Sequence, residues 1–404
     1  MKRRVAITGV GIVSPFGVDF AAFWEGVSKG VGAIRPMKSV APGALRFSNA
    51  AEVPDFAATR YFEEKDAAML DRFAQMGAVA AREAVVSSGI QFDDALREHT
   101  AIVMGSSGGG KTTEDDGFVG LYKRGEPRVS PLTIPRAMPN AAASRISFEY
   151  GITGPVYAVT TACSSSNHAI GQAFWMVRNG VVDAAIAGGS EAPFSLGFLK
   201  AWEAMRVVAP DTCRPFSKDR RGLILGEGGA ALMLEPFEAA RARGATIWAE
   251  VTGFGMSSDA HHMTQPSAAG AARAMRAALA DAGLGEESIG YINAHGTGTQ
   301  ANDVTECEAI RAVFGARTER LLVSSTKSMH GHALGAAGAL EAVASVAALR
   351  FGIVPPTANF TEPDPACNLD VVANSPRAVQ VDAALSNSFA FGGLNAVLVF
   401  ERRE

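Results

Sequence analysis

The sequence has few cysteines and few aromatic residues for its length. Four cysteines occur in 404 residues, none of them in a C-x-x-C pair, and aromatic side chains make up only 8% of the chain. So few cysteines in so long a chain exclude a disulfide framework. We therefore expect a protein of a reducing compartment, the cytoplasm, that is stabilised by its hydrophobic core.

Clustered positive charge is also missing. The formal net charge is −4, and both signs are spread along the chain. A nucleic-acid-binding domain would need lysines and arginines gathered on one face. The sequence therefore predicts no nucleic-acid partner.

No apolar run is long enough to suggest a membrane span. The longest, residues 333–348, contains Glu341 and is shorter than the ~20 residues that a transmembrane helix requires. Residues 2–13 resemble a signal peptide, because three basic residues precede an apolar run. That run contains two glycines and no cleavage site of small residues follows it, so we expect a first β-strand here and no membrane partner.

What the sequence does contain predicts an α/β fold. Apolar residues make up 48% of the chain, enough for a large core. Short apolar runs alternate with stretches in which alanine recurs at helical spacing, and this alternation predicts layered sheets and helices. The predicted strands are residues 5–8, 101–104, 156–159, 184–187, 230–234, 291–293, 321–324 and 396–400, and the predicted helices are residues 67–88, 169–179, 268–282 and 335–350.

One pattern occurs twice along the chain. A strand followed by a turn rich in glycine and small polar residues appears at residues 101–106 and again at residues 291–297. The repetition is compatible with two similar halves, residues 1–250 and 251–404, that share one core.

Residues 105–112 (GSSGGGKT) match the phosphate-binding pattern G-x-x-x-x-G-K-T after a strand. Taken alone, the match indicates a nucleotide hydrolase. Three acidic residues at 114–116 would repel a triphosphate, however, and no apolar strand ends in an aspartate that could hold magnesium. We expect a chance match, which a nucleotide-binding titration would test.

The seven histidines do not have the spacing of a zinc site, so no metal is predicted. His295 lies in a glycine- and threonine-rich turn, and His332 follows His330 by two residues beside a helix rich in glycine and alanine. Both positions suit a polar group at the wall of a site. The histidines expected to have structural roles only are His99, His168, His261 and His262.

Cys163 is the strongest candidate nucleophile. It lies in residues 160–168 (TTACSSSNH), which open a predicted helix after the strand at 156–159. The dipole at a helix N-terminus favours a thiolate and so lowers the pKa of a thiol placed there. The remaining cysteines, expected to be inert core residues, are Cys213, Cys307 and Cys367.

A cysteine at a helix start, the turn HGTGT at 295–299 and the turn KSMHGH at 327–332, in this order, resemble the β-ketoacyl synthases. Similar segments extend over essentially the whole chain: residues 5–11 (VAITGVG), 214–216 (RPF), 226–228 (GEG), 253–260 (GFGMSSDA), 324–328 (SSTKS) and 387–393 (NSFAFGG). Within the family the chain resembles the second elongating, type II class, and residues 202–215 are similar to nodulation-type relatives. The resemblance implies a thiolase-like fold, two similar halves stacked as five layers (α-β-α-β-α), in a homodimer.

The same resemblance assigns residue roles. Cys163, in the N-terminal half, would take an acyl group from acyl carrier protein, and the backbone amides of Cys163 and Phe391 would form the oxyanion hole. His295 and His332, in the C-terminal half, would hold the malonyl thioester and promote loss of carbon dioxide. The enzyme would be an acyltransferase that needs no cofactor. Thr297, Thr299, Phe389 and Gly108 would line the substrate pocket.

Lys327 and Glu341, with Asp303 and Glu306, would form a charged network that orients the two histidines. A buried ion pair with a purely structural role is the alternative.

Three positions depart from the family pattern. Leu394 replaces the hydroxyl residue of the usual final turn G-G-T-N. Gly108 falls where elongating synthases often carry an apolar gate, which predicts a deeper acyl pocket. Glu203 stands where arginine is common, so the acidic carrier would dock on other basic residues, namely Lys123, Arg124, Arg128 and Arg206.

Two related activities fit the residues less well. A thiolase acts on coenzyme A thioesters without decarboxylation, and the C-terminal half offers His332 but no second cysteine of the catalytic type. A non-catalytic subunit that sets chain length would lack the nucleophile. The acyl substrate and the pathway, fatty acid or specialised lipid and polyketide, are left open by the sequence.

Overall fold

The computed structural model describes residues 2–403. The strands are β1 (Val5–Val13), β2 (Arg35–Pro36), β3 (Asn49–Ala50), β4 (Thr100–Gly105), β5 (Val156–Val159), β6 (Ala184–Glu191), β7 (Gly228–Pro236), β8 (Ala249–Ser258), β9 (Tyr291–Asn293), β10 (Leu322–Ser324), β11 (Ile353–Val354), β12 (Asp370–Val371), β13 (Arg377–Ala378), β14 (Ala383–Ala390) and β15 (Leu394–Glu401). The α-helices are α1 (Phe20–Ser28), α2 (Glu64–Ala68), α3 (Arg72–Ser88), α4 (Asp94–Glu98), α5 (Lys111–Lys123), α6 (Thr133–Ala137), α7 (Ala141–Tyr150), α8 (Ser165–Arg178), α9 (Leu196–Met205), α10 (Phe237–Ala242), α11 (Ala268–Ala282), α12 (Gln300–Phe314), α13 (Lys327–His330) and α14 (Ala337–Phe351). Short 3₁₀ turns cover Ala58–Arg60, Glu286–Ser288, Gly315–Glu319, Leu334–Ala336 and Pro365–Cys367.

The strand order is the same in both parts of the chain. The first part runs β5-β4-β6-β7-β1, and the second runs β10-β9-β14-β15-β8. In each, the first three strands of that order are parallel and the last two are antiparallel to their neighbours. Antiparallel pairing of β1 with β8 joins the two sheets, with Ala6 opposite Glu250. The boundary expected near residue 250 falls at the start of β8, and the division into two domains stays a prediction.

Helices and sheets form five layers. Helices α8 and α14 pack against each other and against strands of both sheets, so they make the central layer. Helices α3 and α7 cover the outer face of the first sheet, and α11 and α12 cover the second. A Cβ at Gly9 would lie 2.0 Å from the carbonyl oxygen of Ala84 in α3, so glycine permits this close packing. The predicted thiolase-like architecture is confirmed.

The sequence showed no apolar run of membrane-spanning length, but one helical stretch, Leu334–Phe351, is long and apolar enough to cross a membrane by composition alone. Within the fold, 89% of it is buried. Because it includes α14 of the central layer, it contacts protein on nearly every side and lacks a polar face. Its apolar composition is that of a core helix.

Candidate active site

A strained turn places Cys163 at the entrance to α8. The chain leaves β5 and passes through Ala162, whose φ of 50° lies in the left-handed region that non-glycine residues seldom adopt. The hydroxyl of Ser165 accepts the N–H of Thr161 at 2.9 Å and donates to the carbonyl of Ala162 at 2.6 Å. These bonds offset the strain of the turn and fix the direction of the cysteine side chain.

Cys163 is 7% exposed, and its sulfur faces two backbone N–H groups, its own and that of Phe391. Burial raises the pKa of the thiol to about 12, although the positive charge of Lys327 and the two N–H groups favour the thiolate. The expectation of a lowered pKa at the helix start is therefore wrong, because removal from water outweighs the effects of Lys327 and the two N–H groups. In the resting protein the nucleophile is a neutral thiol.

Both predicted histidines meet this sulfur. His295 follows β9, and His332 follows α13. The sulfur and one nitrogen of each ring all lie within 4.8 Å of one another. The ring centroids are 5.4 Å apart, with the planes inclined by 84°. Cysteine and histidine also bind zinc, but a metal here would occupy the sulfur and both rings at once and leave none of them to react.

Burial makes both imidazoles neutral. It lowers the pKa of His295 and His332 well below the usual value, and the charge of Lys327 lowers both further. Nδ1 of His332 accepts the backbone N–H of Leu334 at 3.2 Å, so the hydrogen of this neutral ring is assigned to Nε2. Nδ1 of His295 has no hydrogen-bond partner within residues 2–403.

The four network residues have separate tasks. Lys327 and Glu341 are fully buried and form an ion pair. Burial raises the pKa of Glu341 to about 7, against the effect of Lys327. Glu306 accepts the backbone N–H groups of His295 at 2.8 Å and Gly296 at 2.7 Å, so it holds the histidine turn directly.

Asp303 acts one step further from the reacting groups. Its carboxylate accepts the backbone N–H groups of Phe216 at 2.9 Å and Gly298 at 3.2 Å. The guanidinium of Arg220 lies 3.6 Å away. Asp303 therefore orders the turn after His295 and not the imidazole itself.

A cavity of about 200 Å³ opens at Cys163. The predicted residues Phe389, Thr297 and Thr299 line it, and the two threonine hydroxyls are hydrogen bonded at 2.8 Å. The lining residues to which the sequence assigned no place in the pocket are Trp202, Met205, Val207, Leu223, His262, Met263, Thr264, Gln265, Pro266, Ala301, Asn302, Ala390 and Gly393. His262, expected to be structural, thus belongs to the wall of the site.

Gly108 is not among the residues that line this cavity. Its N–H donates to the buried carboxylate of Glu191 at 3.1 Å, and Ser107 and Gly335 donate to the same carboxylate at 2.6 and 3.1 Å. Glu191 therefore joins the turn after β4 to the turn after His332. A deeper pocket at Gly108 stays a prediction.

The phosphate-loop match has no free phosphate cradle. The amides of Ser107 and Gly108 already bind Glu191. The hydroxyls of Thr112 and Thr113 both donate to Asp71 at 2.6 Å. These contacts favour the interpretation of a chance match.

The turn that carries Phe391 is tied to a second segment. Gly392 donates its N–H to the carbonyl of Met263 at 2.7 Å, and Asp259 donates to Gly393 at 2.9 Å. The carboxylate of Asp259 also accepts from Asn395 at 2.7 Å. These contacts hold the turn without the hydroxyl that Leu394 replaces.

Glu203 is engaged by neighbouring donors, and docking of an acidic carrier away from it stays a prediction. Its carboxylate accepts the backbone N–H of Arg46 and the ammonium of Lys200, and these bonds lower its pKa. Arg46 and Arg206 line one surface depression together with Glu203. Neither side chain has a hydrogen bond or ion pair within the described chain.

Two sequence-family models match the chain. The N-terminal domain of β-ketoacyl synthases matches residues 2–240, and their C-terminal domain matches residues 248–361. The chain belongs to the β-ketoacyl synthase family. The family predicted from the sequence is confirmed.

Similar proteins extend over the full length of this synthase. Nodulation protein E of Rhizobium sp. (strain N33) is 47% identical over 402 residues, which cover 100% of both chains. The 3-oxoacyl-[acyl-carrier-protein] synthase 2 of Staphylococcus aureus (strain N315) is 40% identical over 410 residues, covering 100% of this chain and 99% of the relative.

Among solved structures, a ketosynthase in complex with its type II polyketide acyl-carrier protein and bound to a hexaketide superposes with a TM-score of 0.91. It is 29% identical, and the match covers 100% of both chains. The protein is a condensing acyltransferase, a β-ketoacyl synthase of fatty acid or type II polyketide-related biosynthesis.

Proposed function

We propose that Cys163 is the acyl-accepting nucleophile and that His295 and His332 drive decarboxylation of malonyl-carrier on the same site. The observation that carries this proposal is the approach of the sulfur and the two ring nitrogens within 4.8 Å. Attack on one thioester and enolate formation from another must occur at neighbouring atoms, and this distance permits both.

The first step is acyl transfer. Both nitrogens of His332 are committed, Nδ1 as an acceptor and Nε2 as a hydrogen carrier, so the thiol proton passes to His295. The sulfur attacks the thioester carbon, and the oxyanion accepts the N–H groups of Cys163 and Phe391. Collapse of this intermediate expels the carrier thiolate, which takes the proton from His295.

The second step is condensation. The malonyl thioester oxygen accepts hydrogen bonds from His332 Nε2 and from His295. As carbon dioxide leaves, the electrons of the broken bond form an enolate on that oxygen. The enolate carbon attacks the acyl carbonyl on Cys163, the C–S bond breaks, and the sulfur departs as a thiolate that takes a proton from solvent water. Neutral imidazoles suit this task, since a donor that does not titrate near neutral pH keeps its hydrogen.

Mass spectrometry and carbon dioxide release test the two steps separately. Incubation of the enzyme with acyl-carrier should add one acyl mass to the peptide that contains Cys163, and malonyl-carrier should then release carbon dioxide and β-ketoacyl-carrier. An acyl mass on another residue, or condensation without any acyl-enzyme, overturns the proposal.

We also propose that the enzyme is a homodimer joined at β5. This edge strand of apolar residues pairs only with β4 within the described chain, and an unpaired edge invites a second strand. Phe148, on the adjacent helix α7, is 78% exposed. Light scattering should give twice the mass of the chain, and Phe148→Glu should weaken association. A monomeric wild-type enzyme, or one that assembles only with a different chain, overturns this proposal.

We propose a cytoplasmic location as well. The four cysteines are free thiols, and the reaction requires that Cys163 stays reduced. A thiol-trapping assay on cells should find Cys163 reduced or acylated, and recovery of the enzyme with exported proteins would contradict the location.

A further inference from the structure

We propose that Trp202 limits the length of the acyl chain that Cys163 accepts. This inference rests on the proposed function, since it concerns the acyl group carried by that sulfur. Trp202 lies on α9, near the end of that helix, and its indole lines the same cavity as Cys163.

The cavity lining contains both polar and apolar side chains. Thr297, Thr299 and Asn302 are among the polar ones, and Trp202 and Leu223 are among the apolar ones. An acyl chain on Cys163 is most stable where apolar side chains shield it from water. The growing chain therefore extends towards the indole and away from the threonines.

The indole of Trp202 limits the cavity on the apolar side because the space behind the ring is filled by other side chains. Trp202 is 8% exposed and belongs to a buried apolar cluster with Leu199, Leu223 and Leu334. Its ring also meets Phe198 edge to face, with centroids 6.3 Å apart. A chain that is long enough to reach the indole cannot pass it unless the side chain moves.

The indole also contacts the oxyanion hole. Trp202 stacks on the ring of Phe391, with centroids 6.2 Å apart and planes inclined by 25°. The N–H of Phe391 faces the Cys163 sulfur. A chain that displaces the indole therefore disturbs the group that stabilises the tetrahedral intermediate, so excess length lowers kcat as well as raising KM.

The test compares Trp202→Ala and Trp202→Phe with wild type across acyl-carriers from butyryl to palmitoyl. Rates of Cys163 acylation are read by mass spectrometry. Trp24→Phe is the matched control, since Trp24 stacks on Phe351 and does not line the cavity. Trp202→Ala should raise the ratio of long-chain to short-chain kcat/KM by at least about tenfold, Trp202→Phe by less, and Trp24→Phe not at all.

Two results overturn the assignment. One is an unchanged length cutoff in a folded Trp202→Ala enzyme that still acylates with butyryl-carrier. The other is a cutoff that moves with Gly108→Ile and not with Trp202. Butyryl acylation and carbon dioxide release from malonyl-carrier report the proposed function independently. If both persist while the cutoff stays fixed, only the role of Trp202 fails.

Discussion

The backbone N–H of Leu334 donates to Nδ1 of His332 over 3.2 Å, and this bond determines which nitrogen of the ring faces the substrate as a donor. Leu334 itself has a φ of 48°, an unfavourable conformation that the surrounding buried cluster must maintain. The backbone strain at Leu334 is thus the energetic cost of holding the hydrogen of His332 on Nε2.

Replacement of His332 should separate decarboxylation from acyl transfer. His332→Ala removes the Nε2 donor, and loss of one such donor costs roughly 10²–10³ in rate. We expect this loss in carbon dioxide release from malonyl-carrier, with Cys163 acylation changed far less. His332→Asn, which keeps an N–H donor, should recover part of the rate. Equal release of carbon dioxide by His332→Ala and wild type would contradict the role.

Cys163→Ala should abolish acyl-enzyme formation and leave decarboxylation. The enolate can form on the two histidines without the sulfur, so malonyl-carrier should still lose carbon dioxide and give acetyl-carrier. Cys213→Ala is the matched control, since this buried cysteine lies outside the cavity at Cys163. A Cys163→Ala enzyme that still makes β-ketoacyl-carrier would remove the nucleophile assignment.

The pH dependence of alkylation tests the state of the resting sulfur. Because burial raises the pKa of Cys163 to about 12, the thiolate fraction should keep increasing with pH up to that value. The rate of iodoacetamide labelling at Cys163, followed by peptide mass spectrometry, should therefore rise steadily from pH 7 to pH 10. A plateau already reached near pH 7 would instead indicate a stable thiolate at the start of α8.

The buried histidines should make the fold sensitive to acid. The pKa values of His295 and His332 lie well below that of an unfolded histidine, so below about pH 6.5 the unfolded chain binds protons that the fold excludes. Each ring contributes stability that is present above this pH and lost below it, at about 1.4 kcal/mol per pH unit. Urea unfolding at several pH values should show that the free energy of unfolding falls less steeply with decreasing pH in the double variant His295→Asn/His332→Asn than in wild type. The exposed His261→Asn serves as control, and an equal slope in all three proteins would refute the explanation.

Arg46 and Arg206 should carry much of the electrostatic attraction to the carrier. Both line one surface depression, together with Glu203. Arg206→Glu should slow acylation by acyl-carrier and reduce its sensitivity to salt, since surface charges act mainly on association. Acylation by a short acyl-pantetheine thioester, which lacks the carrier, should not change. Arg241→Glu, on the distant helix α10, is the control, and an equal effect there would argue against a local docking surface.

Elements with a plain apolar pattern could be predicted from the sequence, and strands that contain glycine or buried polar residues could not. Residues 156–159, 291–293 and 268–282 were predicted with the bounds of β5, β9 and α11. Strands β8 and β14 were missed. The first contains glycines that face α11, and the second buries serine and asparagine, which hide the usual strand signal.

The reacting residues could be recognised because they lie in short motifs, whereas their surroundings come from distant segments. Trp202 and His262 reach the cavity from segments outside the one that contains Cys163, and no local pattern indicates that either one lines a pocket. The pKa of Cys163 was misjudged for the same reason. A helix start can be read from neighbouring residues, but the depth of burial is decided by the whole fold.

The repeated strand order bears on how this protein can be altered. The turns of the first sheet position the sulfur of Cys163, and those of the second position the imidazoles of His295 and His332. The turn after β4 corresponds to the turn that carries His295, but it contains no histidine. Two copies of either sheet could reproduce the architecture and would still lack half of the chemistry. Separately produced fragments should therefore regain turnover only when they are mixed and reassociate along β1 and β8.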